Sequence, residues 1–561
     1  MWDRGVGYYD VYNKKWNQIS GIQLGHYSWF TSMDVDKGGN AWVGTVIDGF
    51  YVIDMHNFSV TRTLDIPLLS GNTVRNGIQS IYCDRENNSV WIGLYNQGMC
   101  YYHPSMNKIV LYNKKMINGD WKGEEIRCML ETSKGEILMG TTQGVYRYEP
   151  ETKSMNRFYH EFSQKNCRVL YEDSKKRVWV GTYHDGLYCI DHGKVQSYDY
   201  PDTDYQNELD FSNIRVMVED SSGRLWVSIY GGVGLFNPEN GQINLLSEQF
   251  PELKKYKVAN ALAIDNQSRL VVGSDNGLYI YDPATNKIWI PEEDGQANSI
   301  FNQGSIKYNQ ILKDHEGTLW FATQYGLSVL TYNGQSYTLG KEEGLSKAIL
   351  NVVEDKNHDI WISTVTSIYK IKVDRRADKY SFHVISCLSE DEIRQDDLYS
   401  FPSLMTRDNQ LFLGLMNGFI AFSPENMIDN QCLNRPLFTS FRLFNVPVVS
   451  GEIYNGRVLF DKALSYSDEV QLKYDENYIT LEFSGLNFPN PSQTSFRYQL
   501  EGFDKEWTET LFENGQGRVV YNNLPSGEYI FRVSAAGNDR IWGPESAFKI
   551  VIHPPFWDTL A

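Results

Sequence analysis

The sequence has few of the features that point directly to a common function. Its 561 residues contain no run of 18 apolar residues, so it predicts no helix that spans a membrane. Basic residues are also scarce, since 52 Lys and Arg stand against 70 Asp and Glu and give a formal net charge of -18. Phosphate binding needs a basic surface, and this balance argues against direct nucleic acid contact. Residues 1–9 lack the basic start and apolar stretch of a secretion signal, which indicates either a cytosolic protein or a true start further upstream.

Motifs for catalysis and metal binding are absent as well. The ten His form neither HxH nor HExxH, and no GxSxG occurs, so zinc and serine-hydrolase signatures are missing. The segment from Asp34 to Gly38 is similar to the start of a calcium loop, but its twelfth position is Thr45, where an EF-hand needs a bidentate Glu. We therefore predict no catalytic residue, no metal ligand and no cofactor.

Cysteine indicates neither a disulfide framework nor a redox site. Seven Cys occur without any CxxC spacing, and the odd number leaves at least one unpaired. Four of them lie within apolar strand patterns, which predicts small buried hydrophobes instead of reactive thiols. These are Cys83, Cys128, Cys167 and Cys189.

An internal repeat is what the sequence does contain. Variants of the tetrapeptide Trp-x-Gly-Thr recur nine times, 41 to 51 residues apart, and an Asp stands six residues before most of them. Turn formers follow that Asp, and the intervening segments have no helical periodicity. This period is typical of the four-stranded blade of a β-propeller. The nine repeats begin at Trp42, Trp91, Leu138, Trp179, Trp226, Val271, Trp320, Trp361 and Phe412.

The number of repeats predicts two rings. A blade cannot bury both faces of its own sheet, so blades stack face to face and close into a ring, with the anchor aromatics between them. Closed rings usually hold four to eight blades, which makes nine too many for most single rings. The seven repeats from Leu138 to Phe412 predict a second, seven-bladed β-propeller over residues 105–432. The two earlier repeats predict that residues 1–104 are the C-terminal blades of a first, truncated β-propeller.

The repeat ends at Pro436, and a different all-β domain follows. Residues 437–553 contain alternating apolar and polar segments, such as 478–483 and 529–533, separated by Gly, Asn and Pro turns. This pattern predicts a β-sandwich of immunoglobulin or fibronectin type. The predicted fold class is thus all-β: a partial propeller, a seven-bladed β-propeller and a β-sandwich.

Both parts of the sequence resemble a known family. Residues 216–227 resemble the two-component regulator propeller repeat. The tail, with residues 498–504, 523–529 and Trp542-Gly543, resembles the triple-tyrosine (Y_Y_Y) domain that follows such propellers. Residues 554–561 are similar to the start of the family's membrane-proximal segment. In this order of parts, the chain resembles the periplasmic sensor region of a Bacteroidetes-type hybrid two-component system.

The resemblance implies a function and a location. It implies a carbohydrate-sensing ectodomain of a sensor histidine kinase, which binds an oligosaccharide and signals through the sandwich to control polysaccharide-utilisation genes. It also implies a periplasmic ectodomain of an inner-membrane protein, a homodimer through the C-terminal sandwich, and no enzymatic activity in this part. The family usually carries fourteen repeats in two rings together with a signal peptide, a membrane helix and kinase parts. We therefore expect the chain to be a fragment cut at both ends.

Variation at equivalent positions of the blades predicts a ligand site. Five residues before the repeat Asp or its equivalent, three adjacent blades carry Arg127, Arg168 and Arg215, and the next two carry Asn260 and Asn309. The turns after the anchors should lie on the same face of the ring. An Arg cluster suits an anion or sugar hydroxyls, because the guanidinium fork binds carboxylates in bidentate fashion. The candidate turn residues are Tyr183, His184, Tyr230 and Tyr325.

Other interpretations remain open at this point. Each Arg could instead bond backbone carbonyls or pack on an aromatic ring of a neighbouring blade, and each turn taken singly is typical of a solvated turn. At the level of function, the alternatives are a propeller enzyme, either a polysaccharide lyase or a hydrolase, and a passive protein-interaction scaffold.

Overall fold

The computed structural model divides into two compact units, Asn107–Met427 and a second unit that joins Met1–Met106 to Ile428–Ala561. The residues that it describes are 6–22, 24, 27–63, 77–85, 88–95, 98–103, 110–200, 209–291, 306–345, 347–376, 379–388, 402–427, 435–488, 491–511, 515–537 and 540–555.

The N-terminal residues form two blade-like sheets behind a short hairpin. Strands β1 and β2 make the hairpin, β3 to β6 make a four-stranded sheet in sequential order, and β7 to β9 make a three-stranded sheet. Their bounds are β1 (Gly7–Asp10), β2 (Lys15–Gln18), β3 (Phe30–Val35), β4 (Asn40–Thr45), β5 (Phe50–Asp54), β6 (Val60–Thr63), β7 (Ile78–Asp84), β8 (Ser89–Leu94) and β9 (Gly98–Tyr102).

The residues that the structure describes within the unit Asn107–Met427 form seven sheets. The first strand, β10 (Val110–Asn113), belongs to the seventh sheet. The strands of the first three sheets are β11 (Asn118–Gly119), β12 (Ile126–Glu131), β13 (Ile137–Thr141), β14 (Gly144–Glu149), β15 (Ser154–Arg157), β16 (Cys167–Glu172), β17 (Val178–Thr182), β18 (Leu187–Asp191), β19 (Lys194–Tyr198), β20 (Asp210–Glu219), β21 (Leu225–Tyr230), β22 (Gly232–Phe236) and β23 (Ile243–Leu245).

A one-turn helix, α1 (Leu246–Gln249), separates the third sheet from the fourth. Short 3-10 helices occupy His160–Phe162, Pro251–Lys255 and Pro424–Asn426. The remaining strands are β24 (Ala259–Ile264), β25 (Leu270–Ser274), β26 (Gly277–Asp282), β27 (Lys287–Trp289), β28 (Tyr308–Lys313), β29 (Leu319–Thr323), β30 (Gly326–Leu330), β31 (Ser336–Leu339), β32 (Asn351–Glu354), β33 (Ile360–Ser363), β34 (Ile368–Arg376), β35 (Lys379–Leu388), β36 (Ser403–Met405), β37 (Leu411–Leu415) and β38 (Gly418–Phe422).

The seven sheets close into a ring. The innermost strands β12, β16, β20, β24, β28, β32 and β36 contact one another in that order, and β36 contacts β12. The first strand, β10, pairs antiparallel with β38 as the outer strand of the last sheet, with Val110 opposite Ala421. A strand from the start of the unit thus completes its final blade, and the all-β propeller class predicted from the sequence is confirmed. The predicted limits of this domain, residues 105 and 432, lie outside the described residues and remain a prediction.

The Asp and the Trp of the repeat are hydrogen-bonded to each other. The indole Nε1 donates to an Oδ2 of the Asp six residues earlier at 2.7 to 3.0 Å in four blades, and each of these Trp side chains is buried. Trp179 and Trp361 also pack edge-on against Phe236 and Phe422 of the next blade. The anchors therefore lie in the core between blades, as predicted. The four pairs are Asp173 with Trp179, Asp220 with Trp226, Asp314 with Trp320 and Asp355 with Trp361.

A Glu at the end of the inner strand fastens each of several blades to the preceding one. Glu172 accepts hydrogen bonds from the backbone N–H and the hydroxyl of Ser133, at 2.7 and 2.8 Å, in the hairpin turn of the preceding blade. Glu219 binds Ser174 in the same way. We call this contact the glutamate clasp. Its four members are Glu131 with Arg407, Glu172 with Ser133, Glu219 with Ser174 and Glu354 with His315.

The C-terminal residues form a β-sandwich. One sheet has the order β40-β39-β44-β47 and the other β43-β49-β48-β45-β46, and a core rich in Phe lies between them. Short 3-10 helices lie at Leu464–Tyr466 and Pro491–Gln493. The strands are β39 (Leu437–Leu443), β40 (Val446–Pro447), β41 (Ile453–Tyr454), β42 (Arg457–Val458), β43 (Glu469–Leu472), β44 (Ile479–Ser484), β45 (Ser495–Glu501), β46 (Thr508–Leu511), β47 (Gln516–Tyr521), β48 (Gly527–Ala536) and β49 (Ser546–Ile552).

Two further sequence predictions concern the cysteines and the membrane. The described Cys, among them Cys83, Cys128, Cys167 and Cys189, are buried, as predicted, and form no disulfide. Burial raises the pKa of the Cys83 thiol to about 12, which keeps it protonated and unreactive. In the part of the chain that the structure describes, no helix is long and apolar enough to cross a membrane.

Candidate functional site

The five predicted residues at the starts of inner strands share one backbone feature. In each blade the pairing of the inner strand with the second strand shifts by one residue, and the predicted residue is the extra one. In the second blade, for example, Cys167 pairs with Thr182 and Val169 with Gly181, so that Arg168 has no partner across the strand. Such β-bulges redirect a side chain and are common beside functional sites. The bulged residues are Arg127, Arg168, Arg215, Asn260 and Asn309.

The Gly and Thr of the repeat shape the backbone beside the bulge. A Cβ on Gly181 would lie 2.7 Å from Cγ2 of Ile214 on the next blade, so only Gly allows this close approach of the two blades. The Thr182 hydroxyl donates to the Gly186 carbonyl at 2.8 Å and accepts from the Asp185 N–H at 3.0 Å. These bonds fix the turn that carries Tyr183 and places it beside the bulge.

Arg168 is the centre of the site. Its guanidinium lies over the ring of Tyr183, 4.3 Å from the centroid. Burial, together with the charges of Arg215 and Arg127, lowers its pKa to about 10. Within the described part of the chain, Arg168 has no carboxylate at ion-pair distance, and its buried Nε has no hydrogen-bond acceptor. The side chain therefore carries a largely uncompensated positive charge.

The two flanking Arg have partners. Arg127 binds the Glu125 carboxylate through Nε and Nη2, at 3.2 and 2.9 Å. Arg215 donates to Asn260 Oδ1 at 2.9 Å, and Asn260 in turn donates to Asp275 at 2.7 Å. Burial lowers the pKa of Arg215 as well, against the opposing effect of Asp275. The three Arg thus lie close enough to influence one another, and among them Arg127 alone has a carboxylate at ion-pair distance, whereas Arg215 binds a neutral amide.

The turn residues are divided between this cluster and other roles. His184 packs on Tyr183, with ring centroids 3.9 Å apart, and its Nδ1 lies 2.8 Å from the Asp210 carboxylate. Tyr230 is partly exposed and raises the pKa of Arg215, which places it near that side chain.

The fifth blade contributes less to the cluster. Asn309 donates to the Ile349 carbonyl at 2.7 Å, so its amide is used in a backbone contact. Tyr325 is 62% exposed in the turn between β29 and β30. The contact of Asn309 does not reach the Arg residues of blades one to three, and the fifth blade meets the cluster instead through the Tyr308 carbonyl, which accepts a hydrogen bond from Asn260 Nδ2 at 3.3 Å.

Two charged residues of the site were not predicted. Glu125 lies just before β12, and Lys307 just before β28, where its Nζ is 3.3 Å from Asp275. Both stand two residues before the bulged residue of their blade, but the residue type at that position differs from blade to blade, so no repeated residue marks it in the sequence. Arg127, Arg168, Arg215, Tyr183 and Asn260 therefore form a positively charged, partly buried cluster with carboxylates at its margins. It can bind a carboxylate or sulfate through bidentate hydrogen bonds and a sugar ring on Tyr183.

Comparison with known proteins finds matches to the sandwich and to nearly the whole chain. Residues 487–553 match the Y_Y_Y domain family. The protein "Histidine kinase P4" of Formosa agariphila is 21% identical over 211 residues, which cover 37% of this chain but only 14% of that protein. The extracellular domain of the putative hybrid two component system BT3049 from B. thetaiotaomicron matches 98% of this chain and 70% of its own, with a TM-score of 0.69 and 20% identity. That of the putative one component system BT4673 matches 98% of this chain and 72% of its own, with a TM-score of 0.45 and 21% identity.

These matches agree with the parts read from the sequence. The Y_Y_Y match falls in the predicted sandwich, and the match to BT3049 extends over nearly the whole chain. The chain therefore has blades of a β-propeller followed by a Y_Y_Y domain, the architecture of the extracellular sensor regions of Bacteroidetes-type hybrid two-component systems, as its sequence predicts.

Proposed function

We propose that this chain is the ligand-sensing ectodomain of a sensor histidine kinase and that it binds an acidic oligosaccharide at the Arg127–Arg168–Arg215 cluster. The observation that carries the proposal is Arg168, a half-buried guanidinium between two others that lacks a carboxylate partner. Like charges held together out of water repel each other, and the cluster becomes favourable once an anion joins them.

The neighbours of Arg168 favour a sugar acid over a small inorganic anion. Tyr183, which lies under the Arg168 guanidinium, adds aromatic surface for the apolar part of a sugar, while Asn260 Oδ1 and the His184 imidazole can bond its hydroxyl groups. A carboxylate or sulfate on the sugar would accept hydrogen bonds from the Arg168 guanidinium and compensate its charge. A neutral oligosaccharide would use the same ring and hydroxyl contacts but would leave the charge uncompensated.

Signalling would pass through the sandwich. A ligand shifts an equilibrium only by its differential affinity for two states, so the bound ring must favour one arrangement of the sandwich with a partner. We propose a homodimer with the sandwich near the twofold axis, as the family resemblance implies. On this proposal the chain is periplasmic, its full-length protein is anchored in the inner membrane, and it controls polysaccharide-utilisation genes without touching nucleic acid itself. The proposal is supported by the matches, which are to extracellular domains of sensor systems.

Isothermal titration of a panel of uronate-containing, sulfated and neutral oligosaccharides tests this site. Hydrogen bonds to charged groups contribute roughly 1.5 to 3 kcal/mol, so we expect Arg168→Ala to weaken an acidic ligand by about ten- to a hundredfold and a neutral one less. Arg147→Ala is the matched control, because Arg147 is an exposed Arg of the first blade that pairs with Glu136 and Glu149.

Two outcomes would contradict the proposal. One is equal affinity of Arg168→Ala and the unaltered chain for the acidic ligand. The other is the appearance of new reducing ends or unsaturated products when the chain is incubated with the panel, which would instead favour a hydrolase or lyase.

A further inference from the structure

Two histidines and a glutamate meet at the interface of the fifth and sixth blades. His315 lies in the turn between β28 and β29, Glu354 is the last residue of β32, and His358 lies in the turn that follows it. These hairpin turns are at the opposite end of the inner strands from the bulged Arg residues. The group is therefore separate from the proposed ligand site.

The three side chains converge on one point. One ligand atom from each lies within 4.8 Å of the other two. The imidazoles are stacked, with centroids 3.5 Å apart and an interplanar angle of 24°. Both Nδ1 atoms contact the same carboxylate oxygen, Glu354 Oε1, and that of His358 is 3.1 Å from it. The backbone N–H of His315 donates to the other carboxylate oxygen, Glu354 Oε2, at 2.9 Å, and this bond fixes the orientation of the carboxylate.

The glutamate clasps of other blades lack the two imidazoles that surround Glu354. At the equivalent clasps of the second and third blades, the residue that binds the Glu is Ser133 or Ser174, whose hydroxyl occupies the place of the His315 imidazole. A Ser is sufficient to fasten one blade to the next. At Glu354 the carboxylate instead contacts two imidazole nitrogens, which come from two different turns. Holding one blade against the next does not require them.

We propose that His315, Glu354 and His358 bind a divalent transition metal, with Zn²⁺ as the preferred ion, and that the metal bridges the fifth and sixth blades. Two imidazoles and one carboxylate are a Zn²⁺ ligand set that leaves a fourth position for water. Imidazole ligands favour Zn²⁺, Ni²⁺ or Co²⁺ over Ca²⁺ and Mg²⁺, which prefer oxygen.

The surroundings suit Nδ1 coordination. When Nδ1 binds a metal, the ring proton must reside on Nε2, where a nearby carboxylate stabilises it. Glu316 Oε1 lies 3.9 Å from Nε2 of His315, which is beyond hydrogen-bond distance but brings a negative charge near that nitrogen, and Arg375 holds Glu316 with an Nε–Oε2 distance of 3.0 Å. A metal binds only an imidazole nitrogen that carries no proton, so Zn²⁺ affinity should rise with pH.

Titration of tag-free, chelator-treated protein with Zn²⁺ alone tests the proposal. We expect one saturable site, a rise of at least about 2 °C in unfolding temperature, and visible absorption bands when Co²⁺ replaces Zn²⁺, with no such response to Ca²⁺ or Mg²⁺. His358→Gln should lower Zn²⁺ affinity at least about tenfold. His192→Gln is the control, since His192 is an exposed His beside a single carboxylate, Asp191.

A second variant guards against misfolding. His315→Ser installs the residue that the second and third blades use in the same clasp, so it should fold and still lose the metal site. Unchanged Zn²⁺ affinity in both His358→Gln and His315→Ser, or the lack of any saturable binding to the unaltered chain, would overturn the proposal.

Discussion

Single residues of the repeat each have a physical task, and the Asp has the most demanding one. Asp220 is almost fully buried, and although burial opposes ionisation, hydrogen bonds from the Trp226 indole and from Arg224 lower its pKa below 3.8. A carboxylate whose pKa is lower in the folded state stabilises the fold above its unfolded pKa. That contribution is lost as the pH falls through the lower, folded-state value.

Asp220→Asn should therefore lower the free energy of unfolding at pH 7 by about 1.5–3 kcal/mol, because it removes charge-assisted bonds to the indole and the guanidinium. The difference from the unaltered chain should shrink once the pH is below 3.8. Urea unfolding at pH 7 and at pH 3 or lower measures both values, and Asp191→Asn, an exposed Asp, serves as the control. A difference that persists undiminished at low pH would contradict the role assigned to the ionised carboxylate.

At this scale the sequence predicted positions better than contacts. Equal spacing from the repeat Asp selected Arg127, Arg168 and Arg215, and the structure brings these three together. The bulge that carries them could not be predicted, because it depends on the register between two strands. The partner of Asn309, a backbone carbonyl, was equally invisible, since every residue offers the same group. Whether these side chains bind a ligand remains a prediction.

Elements of the ring are joined by the glutamate clasp, which the sequence contained but did not explain. One residue before the repeat Asp or its equivalent, three blades carry Glu131, Glu172 and Glu219. Each Glu is four residues from the Arg of its own blade, and at the rise of an extended strand this distance is too long for the two side chains to pair. Their true partners are backbone N–H groups of the preceding blade, and a partner of that kind leaves no pattern in the sequence. The clasp became apparent only when the order of blades around the ring was known.

Removing one clasp should weaken one interface between blades. Glu219→Gln loses the charge in two hydrogen bonds to Ser174, and we expect a loss of about 1–2 kcal/mol in stability. A double-mutant cycle with Ser174→Ala isolates the hydroxyl contact, and a coupling energy of at least about 0.5 kcal/mol is expected for residues in direct contact. Glu239→Gln, in an exposed turn, should change neither value. Additive effects of Glu219→Gln and Ser174→Ala would show that the hydroxyl contact of the clasp contributes nothing to stability.

At the scale of the whole molecule, repeat counting predicted the all-β class and the change from blades to sandwich. It succeeded because a blade is a local unit whose period appears directly in the sequence. The sandwich was predicted from the alternation of apolar and polar residues and from the resemblance of the tail to the triple-tyrosine domain. Its sheet order, with β43 parallel to β49, depends on pairing between strands about 80 residues apart and could not be read in the same way.

The proposed dimer belongs to this scale. Several apolar side chains of the sandwich are exposed within residues 444–466, including Ile453 at 77% and Tyr466 at 76%. Exposed apolar groups that lie close together are typical of interaction surfaces, and a second copy of the chain is the partner that a signalling twofold axis requires. We therefore expect the full chain to form a weak dimer whose association strengthens when an acidic oligosaccharide is bound.

Ile453→Asp should shift that dimer to monomer, because it places a charge in an apolar interface, whereas Val520→Asp on β47 should leave association unchanged although Val520 is also exposed. Sedimentation velocity over a range of concentrations, with and without ligand, measures both variants. A chain that remains monomeric at every concentration in both conditions would contradict the dimer, and equal loss of association in the two variants would place the interface elsewhere on the sandwich. Neither substitution lies in the propeller, so the ligand affinity of the monomeric variant also tests whether binding and dimerisation are linked. If they are linked through the sandwich, Ile453→Asp should bind the acidic ligand more weakly than the unaltered chain does.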